Sequence, residues 1–335
     1  MMLAAVRRAY AWHRPLMTVS ALMAVCVLVS LAGLFLDSRE ILGAPAWAKP
    51  LKFSLSILIY AATWAWLIAH LPRRQAAARG LGTVIAISLT VEQVLIVLAA
   101  ASGTTSHFNV SSGLHAGVWA AMAAAITTMY LCTFATSFAV FFLRLRTPAL
   151  TFAVRAGVVI ALGGIGVAFL MTAPTSAQIN TPTGIVGAHA VGVEDGGPGI
   201  PVLGWSTTGG DYRVAHFVGM HALQALPLFA LLLEIVTRRL PRLAAPIVHL
   251  WFVVIAAAGY AGGTALLTYQ AALGQSVVHP SGAVLHLGWV LLLAGGLLAG
   301  AVGVGLSPPP TARFFGRLTW GRFRRPSAPA GSAGD

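Results

Sequence analysis

The chain has 335 residues, of which 58% are hydrophobic and only 9% charged, with a formal net charge of +13. A soluble domain carries roughly 25% charged residues, so the composition excludes a water-soluble fold and fits a membrane-embedded one. The basic excess does not imply nucleic acid, because most of the cations fall in the connections between apolar runs.

Eight runs are long enough to cross a hydrocarbon core of ~30 Å at the helical rise. They cover 16–36, 51–71, 81–101, 116–143, 157–173, 216–236, 245–268 and 284–306. The expected fold is all-α: a polytopic transmembrane helix bundle over 1–306, with an extracytoplasmic loop at 174–215 and a basic, Pro/Ser/Gly-rich tail over 307–335. The first run follows a basic start and precedes "GAPAWA", as a signal peptide would. Its length exceeds a signal core and predicts a retained helix. Seventeen of the 21 Lys and Arg residues lie in alternate connections, leaving Arg39, Lys49, Lys52 and Arg213 on the other side. The positive-inside rule then places both termini in the cytoplasm of a multi-pass protein of the inner, plasma membrane.

In the second run Lys52, Ser56, Tyr60 and Trp64 recur every four residues and form one stripe. This stripe is either part of a site or ordinary interhelical bonding with an aromatic contact. The third run holds Glu92 at the centre of an otherwise uncharged stretch. An ionisable group at that depth is costly to leave facing lipid and marks a functional position by default. Cys26 and Cys132 lie inside spans and are read as packing residues.

The long loop carries Glu194, Asp195, Trp205, Asp211 and Arg213, and its glycines suit turns and a lid; no GKS or GKT follows to make a phosphate loop. The sixth run begins with His216, His221 and Gln224, and Pro227 is expected to kink it beside the layer of Glu92. Glu92 and Gln224 sit at similar depths, about 13 and 12 Å from the outer ends of their helices, so Tyr60, His221 and Gln224 are the expected neighbours of Glu92. Glu234 is followed at i+4 by Arg238, an expected interfacial ion pair. In the later runs Gly262, Gly263, Gly296 and Gly300 suit close helix packing. His286 and Trp289 enter from the eighth run as part of a mouth. The tail interleaves Phe314, Phe315, Leu318, Trp320 and Phe323 with arginines, which suits either an anionic membrane surface or a solvated topogenic tail.

Seven of ten histidines map to the outer side, and only His13, His70 and His249 to the inner. The working face is therefore expected outside. Three functions follow. The leading one is a membrane enzyme using Glu92, Tyr60, His221 and Gln224 in acid/base chemistry on a lipophilic small molecule. Lys52, Ser56, Trp64, Trp119, Trp289, Trp205, Asp211 and Arg213 would bind the substrate, and the rings of Tyr60, Trp64, Trp119 and Trp289 could face a carbocation. The second is a haem- or divalent-metal oxidoreductase with His115, His216, His221 and His286 as ligands. The third is a proton-coupled transporter with Glu92 as its protonation site. No cofactor is fixed by the sequence.

The segments "WAKPLKFSLSILIY" at 47–60, "SGTTSHFN" at 102–109 and "GGPGIPVLGWSTTGGDYRVAHFVGMHALQALP" at 196–227 resemble a family of bacterial eight-helix membrane proteins of unassigned activity. Proteins of this kind are similar in turn to the integral-membrane terpene cyclases of bacterial sesquiterpenoid pathways. That resemblance implies proton-initiated cyclisation of an isoprenoid.

Overall fold

A computed structural model of the chain describes residues 2–72, 75–240 and 243–305. The tail from 306 onward, with its aromatic and basic segment, and Arg73, Arg74 and Arg242 of the charge count lie outside the described residues. The described chain folds into eleven α-helices with two minimal antiparallel strand pairs, so the all-α bundle expected from composition is the fold observed. The helices are α1 (Met2–Tyr10), α2 (Arg14–Leu36), α3 (Ala48–Ala69), α4 (Gln75–Ala101), α5 (Gly113–Phe141), α6 (Pro148–Val167), α7 (Ser176–Asn180), α8 (Tyr212–Met220), α9 (Ala222–Val236), α10 (Pro246–Ala272) and α11 (Gly282–Gly303). Seven are long and apolar enough to cross a membrane, and α8 with α9 makes an eighth, bent span. The chain is a multi-pass membrane protein.

In lipid every backbone group must be satisfied within the protein, and the helix starts show how. His13 Nδ1 accepts from Leu16 N at 3.3 Å to cap α2, while Nε2 donates to Arg79 O at 2.9 Å and ties that cap to α4. Ser112 caps α5 and Asp211 caps α8 through their side-chain oxygens. Thr147 caps α6, with Pro148 in its first turn. This last cap corrects the predicted fifth span, which begins at Pro148 rather than 157. A Thr-Pro start is a strong helix signal that hydropathy overlooks. Arg155 consequently lies within α6 rather than before it, with its guanidinium 5.7 Å from the Phe141 ring centroid.

The main core gathers around α3, where Trp64, Ala65, Leu67 and Ile68 meet Leu16 of α2, Ile85 of α4 and Val140 of α5. A second cluster joins Ala149, Leu150 and Ala153 of α6 to Leu226 and Ala230 of α9 and Val253 and Ala257 of α10. Between them α6 and the bent span approach at backbone distance. A Cβ on Gly164 would fall onto the Gly219 backbone, and one on Gly157 would lie 2.9 Å from Leu223 Cα.

The bent span turns by 47° at His221, not at Pro227. Pro227 sits within α9, and the turn falls between the two glycine contacts that hold the chain against α6. Beside the break Tyr260 Oη of α10 donates to the Val218 carbonyl at 2.6 Å. A kink whose carbonyl is claimed by a neighbouring helix is a built feature.

At the end of the bundle opposite the short arginine-bearing turns, two connections fold together as a cap. Residues 102–112 turn back into the bundle, burying Ser106, Phe108 and Asn109. Val110 N donates to Gly184 O at 2.7 Å and Val186 N to Phe108 O at 2.8 Å, stitching this segment to the long loop. Two short strands of the loop, Ala190–Val191 and Gly210–Asp211, pair antiparallel just before α8. The long connection is thus a structured lid, as its glycines suggest.

Two outcomes follow from this packing. Reporter fusions should place the lid connections outside and the arginine-bearing turns in the cytoplasm; a cytoplasmic reading at 174–211 would reverse the orientation. Gly164→Ala should force α6 from α8 and destabilise the protein by roughly 1–3 kcal/mol, read as a lowered thermal midpoint in detergent, whereas Gly163→Ala, whose added methyl meets open space, should be nearly neutral.

Candidate active site

Glu92 lies about 13 Å below the lid end of α4. The helix turns Ser88, Leu89, Glu92, Gln93 and Ile96 inward and Val91, Val94 and Leu98 outward, leaving Glu92 only 1% exposed. Its ionisable neighbour comes from the folded-back connection: His107 Nε2 stands 3.3 Å from Glu92 Oε1. The approach is off-axis for a hydrogen bond, and both Glu92 oxygens lack a hydrogen-bond partner among the described residues. Gln93, the next residue, is engaged instead with Ser54 Oγ at 2.9 Å and Pro50 O at 3.3 Å.

On the other side of the imidazole, Lys49 Nζ and Ser106 Oγ each lie 3.0 Å from Nδ1. An ammonium only donates, so Nδ1 accepts and the ring proton of neutral His107 sits on Nε2, facing the carboxylate. Burial, reinforced by the charge of Lys49, holds His107 well below its ordinary value of 6.5 and keeps it neutral. Phe53, Phe108 and Trp119 surround the ring at centroid distances of 6.0, 6.0 and 5.5 Å. The His107 side chain is 17% exposed and that of Glu92 1%, so the imidazole reaches accessible space and the carboxyl does not.

Three further imidazoles surround this centre. His189 of the lid sits 4.8 Å from the Phe108 ring, with Nδ1 2.7 Å from Asp195 Oδ2. Burial holds His189 low despite that partner. Asp195 also accepts the backbone N–H groups of His189 and Ala190, and although burial opposes it, these bonds keep its carboxyl below the usual range. His216 Nδ1 donates to Gly164 O at 2.8 Å, a bond that the Gly164–Gly219 contact makes possible and that leaves Nε2 with its lone pair. His221, at the helix break, has Nε2 3.1 Å from Ser56 Oγ and Nδ1 3.4 Å from Gln224 Oε1.

Of the residues singled out in the sequence, Glu92, Ser56, Trp119, His216, His221 and Gln224 face this region. The ionisable side chain against Glu92 is His107, with Lys49 behind the imidazole, whereas Tyr60, His221 and Gln224, the expected neighbours, have other hydrogen-bond partners. Tyr60 Oη bonds Thr133 Oγ1 at 2.6 Å deeper in the core, beside the fully buried Trp64. Lys52 reaches out of the layer to donate to Leu203 O at 2.6 Å. Asp211 and Arg213 form an ion pair that also fixes Ser206 N and Gly204 O, while Trp205 O accepts from Ile200 N. These residues build the lid.

His115 bonds Ser111 and Ser112 at the start of α5, and His286 and Trp289 ride on α11, where Trp289 is 57% exposed. Among the described residues no group of three or more His, Cys, Asp or Glu is placed to hold a metal ion, and His115, His216, His221 and His286 do not converge. Glu234 pairs with Arg146 and with Thr147 Oγ1 instead of Arg238. The α-helix stops at Val236 and tightens into a 3-10 turn over Thr237–Arg239, so the i+4 relation fails at Arg238.

Lys49 and His107 are the site residues that sequence patterning alone missed, because a cation at a span's end and a loop histidine look ordinary one at a time. Lys49 falls in segment 47–60, His107 in 102–109, and His216, His221 and Gln224 in 196–227. The fold brings all three segments to one end of the bundle. No protein-family model matches the chain, and no curated protein or solved structure is detectably similar to it.

His107 and His189 both have folded-state values below 6.5. Below that value the unfolded chain binds more protons than the folded one, so stability from these groups is complete above about 6.5 and drains as the pH falls. Lowering the pH from about 7.5 to about 5 should therefore lower the hydrogen-exchange protection factors, taken relative to the intrinsic rate at each pH, in the 104–110 and 184–191 backbone, and Asn at both histidines should remove most of that dependence.

Proposed function

We propose that the protein is an enzyme of the bacterial plasma membrane that carries out proton-initiated chemistry on a lipophilic substrate, with Glu92 as the general acid and His107 as its partner. The observation that carries this reading is a carboxyl that is almost wholly buried, has no hydrogen-bond partner on either oxygen among the described residues and lies 3.3 Å from an imidazole Nε2. A structural carboxylate at that depth would be paired and hydrogen-bonded, since leaving it otherwise is costly. A carboxyl held for proton transfer needs an oxygen to spare.

Cyclisation of an isoprenoid suits the surroundings. Protonated Glu92 gives its proton to a terminal alkene carbon, forming a C–H bond and a carbocation. A second double bond closes the ring, and loss of a proton from the final cation back to the carboxylate ends the cycle with no net change in the enzyme. His107 Nε2–H faces the carboxylate formed in between, and the rings of Phe53, Phe108 and Trp119 offer π-faces to the cation. Lys49 keeps His107 neutral and oriented, so it does not compete as the acid.

Glu92→Gln preserves size and polarity but removes the transferable proton. In lipid nanodiscs with a panel of linear isoprenoids it should lower turnover about 100- to 10,000-fold with little change in thermal midpoint. His107→Phe, which keeps the aromatic packing, should also lower turnover. Near-normal turnover in Glu92→Gln overturns the reading.

A further inference from the structure

We infer that Ser56, His221 and Gln224 form a second reactive site in the same layer, a nucleophile, base and orienting group that takes an acyl chain from a lipid ester. The inference does not depend on the role of Glu92. The rings of Phe53 and Phe217, in edge-to-face contact at 6.2 Å, lie between His107 and His221.

A hydroxyl inside a helix ordinarily bonds back to the carbonyl one turn earlier. Ser54, Thr63, Thr83, Thr90 and Thr136 all do so. Ser56, on the same helix as Ser54 and Thr63 and only 8% exposed, instead meets His221 Nε2 at 3.1 Å. Gln224 Oε1 is an acceptor, so it places the ring proton on Nδ1 and the lone pair on Nε2, the tautomer a base needs to take the serine proton. Irregular backbone at membrane depth persists where it lines a cavity or is enclosed by protein. The helix break at His221 is such irregular backbone, and its ring meets Ser56 of α3. Gln224 Nε2 is buried there with no hydrogen-bond partner among the described residues, and a developing oxyanion is the acceptor such a donor suits.

In the reaction Ser56 Oγ attacks the ester carbonyl carbon as its proton passes to His221 Nε2. The tetrahedral oxyanion collapses, the bond to the leaving alcohol breaks, and His221 returns the proton to that alcohol's oxygen. Water then cleaves the acyl-serine with the same proton traffic, regenerating Ser56 and releasing a carboxylic acid.

The test is adduct mapping on the full-length chain in nanodiscs with a fluorophosphonate bearing a long alkyl chain, in which the serine oxygen displaces fluoride at phosphorus. Peptide mass spectrometry should find the phosphonate on Ser56, with no such adduct on heat-denatured protein, and His221→Asn should slow its formation at least tenfold. No adduct, an adduct on another serine, or equal labelling after denaturation overturns the proposal. Labelling of Ser56 that His221→Asn leaves unchanged overturns the triad. The wild-type map stands even where a variant fails to fold. Loss of isoprenoid turnover in Glu92→Gln bears on the carboxyl alone, and the Ser56 adduct on this site alone.

Discussion

Most of this structure depends on one constraint: a polar group inside a bilayer has no water to turn to, so each must find a partner in the protein or be kept for a substrate. Several groups at the arginine end follow the first course, although Trp64 Nε1, Ser137 Oγ, Arg155 Nε and Trp251 Nε1 are buried there with no hydrogen-bond partner among the described residues. His13 uses both ring nitrogens to cap α2 and tie down α4, His249 meets Thr237 at 2.7 Å, and Glu234 is paired with Arg146. The lid end follows the second. His216 commits Nδ1 to Gly164 O and His189 commits Nδ1 to Asp195, and neither has a hydrogen bond at Nε2 among the described residues. Each is oriented by one nitrogen and available at the other, as proton-transferring imidazoles are.

Close backbone contact is what sets that orientation. Gly164 and Gly157 let α8 and α9 lie against α6 on either side of the break, and the Gly164 carbonyl thereby comes within reach of His216. Small residues serve this role widely in membrane bundles, where packing rather than water drives association. Here they also position chemistry. The lid adds a second fixed frame, because the 102–112 segment is held by backbone bonds to 184–186 and so carries His107 down to Glu92 instead of leaving it at the surface.

Hydropathy and charge were enough to read the spans, the singular place of Glu92 and the excess of histidines at one end, because each is a property of the sequence taken locally. The reading erred wherever a long-range contact decided the outcome. His107 lies fifteen positions beyond Glu92, and only the return of its loop makes them neighbours. Pro227 suggested a kink by its own chemistry, yet the bend formed at His221, where contacts with α6 hold both flanks. Tyr60 shares the stripe of Ser56 as the four-residue spacing requires, but Thr133 of α5 claims its hydroxyl. The α6 boundary is a different case: the Thr147 cap was visible, and Arg155 obscured it by interrupting the apolar run.

The distribution of apolar packing bears on whether such a layer serves transport or chemistry. A carrier exposes its site to both sides in turn, which requires polar or loosely packed routes at both ends. Toward the arginine end from Tyr60, the centre is filled by Trp64, Leu67, Ile68, Ile85 and Val140, each at most 1% exposed. Near the lid end Lys49, Phe53, His107, Trp119, His216 and His221 all keep partial exposure around the buried Glu92. The polar layer is thus accessible from one end and sealed by a close-packed apolar core at the other. Toward the sealed side the buried polar side chains near Glu92 are hydroxyls such as Ser88, Tyr60 and Thr133. An acid at Glu92, as proposed above, would recover its proton from the reacting molecule within one turnover, a circuit that a site open at one end suits.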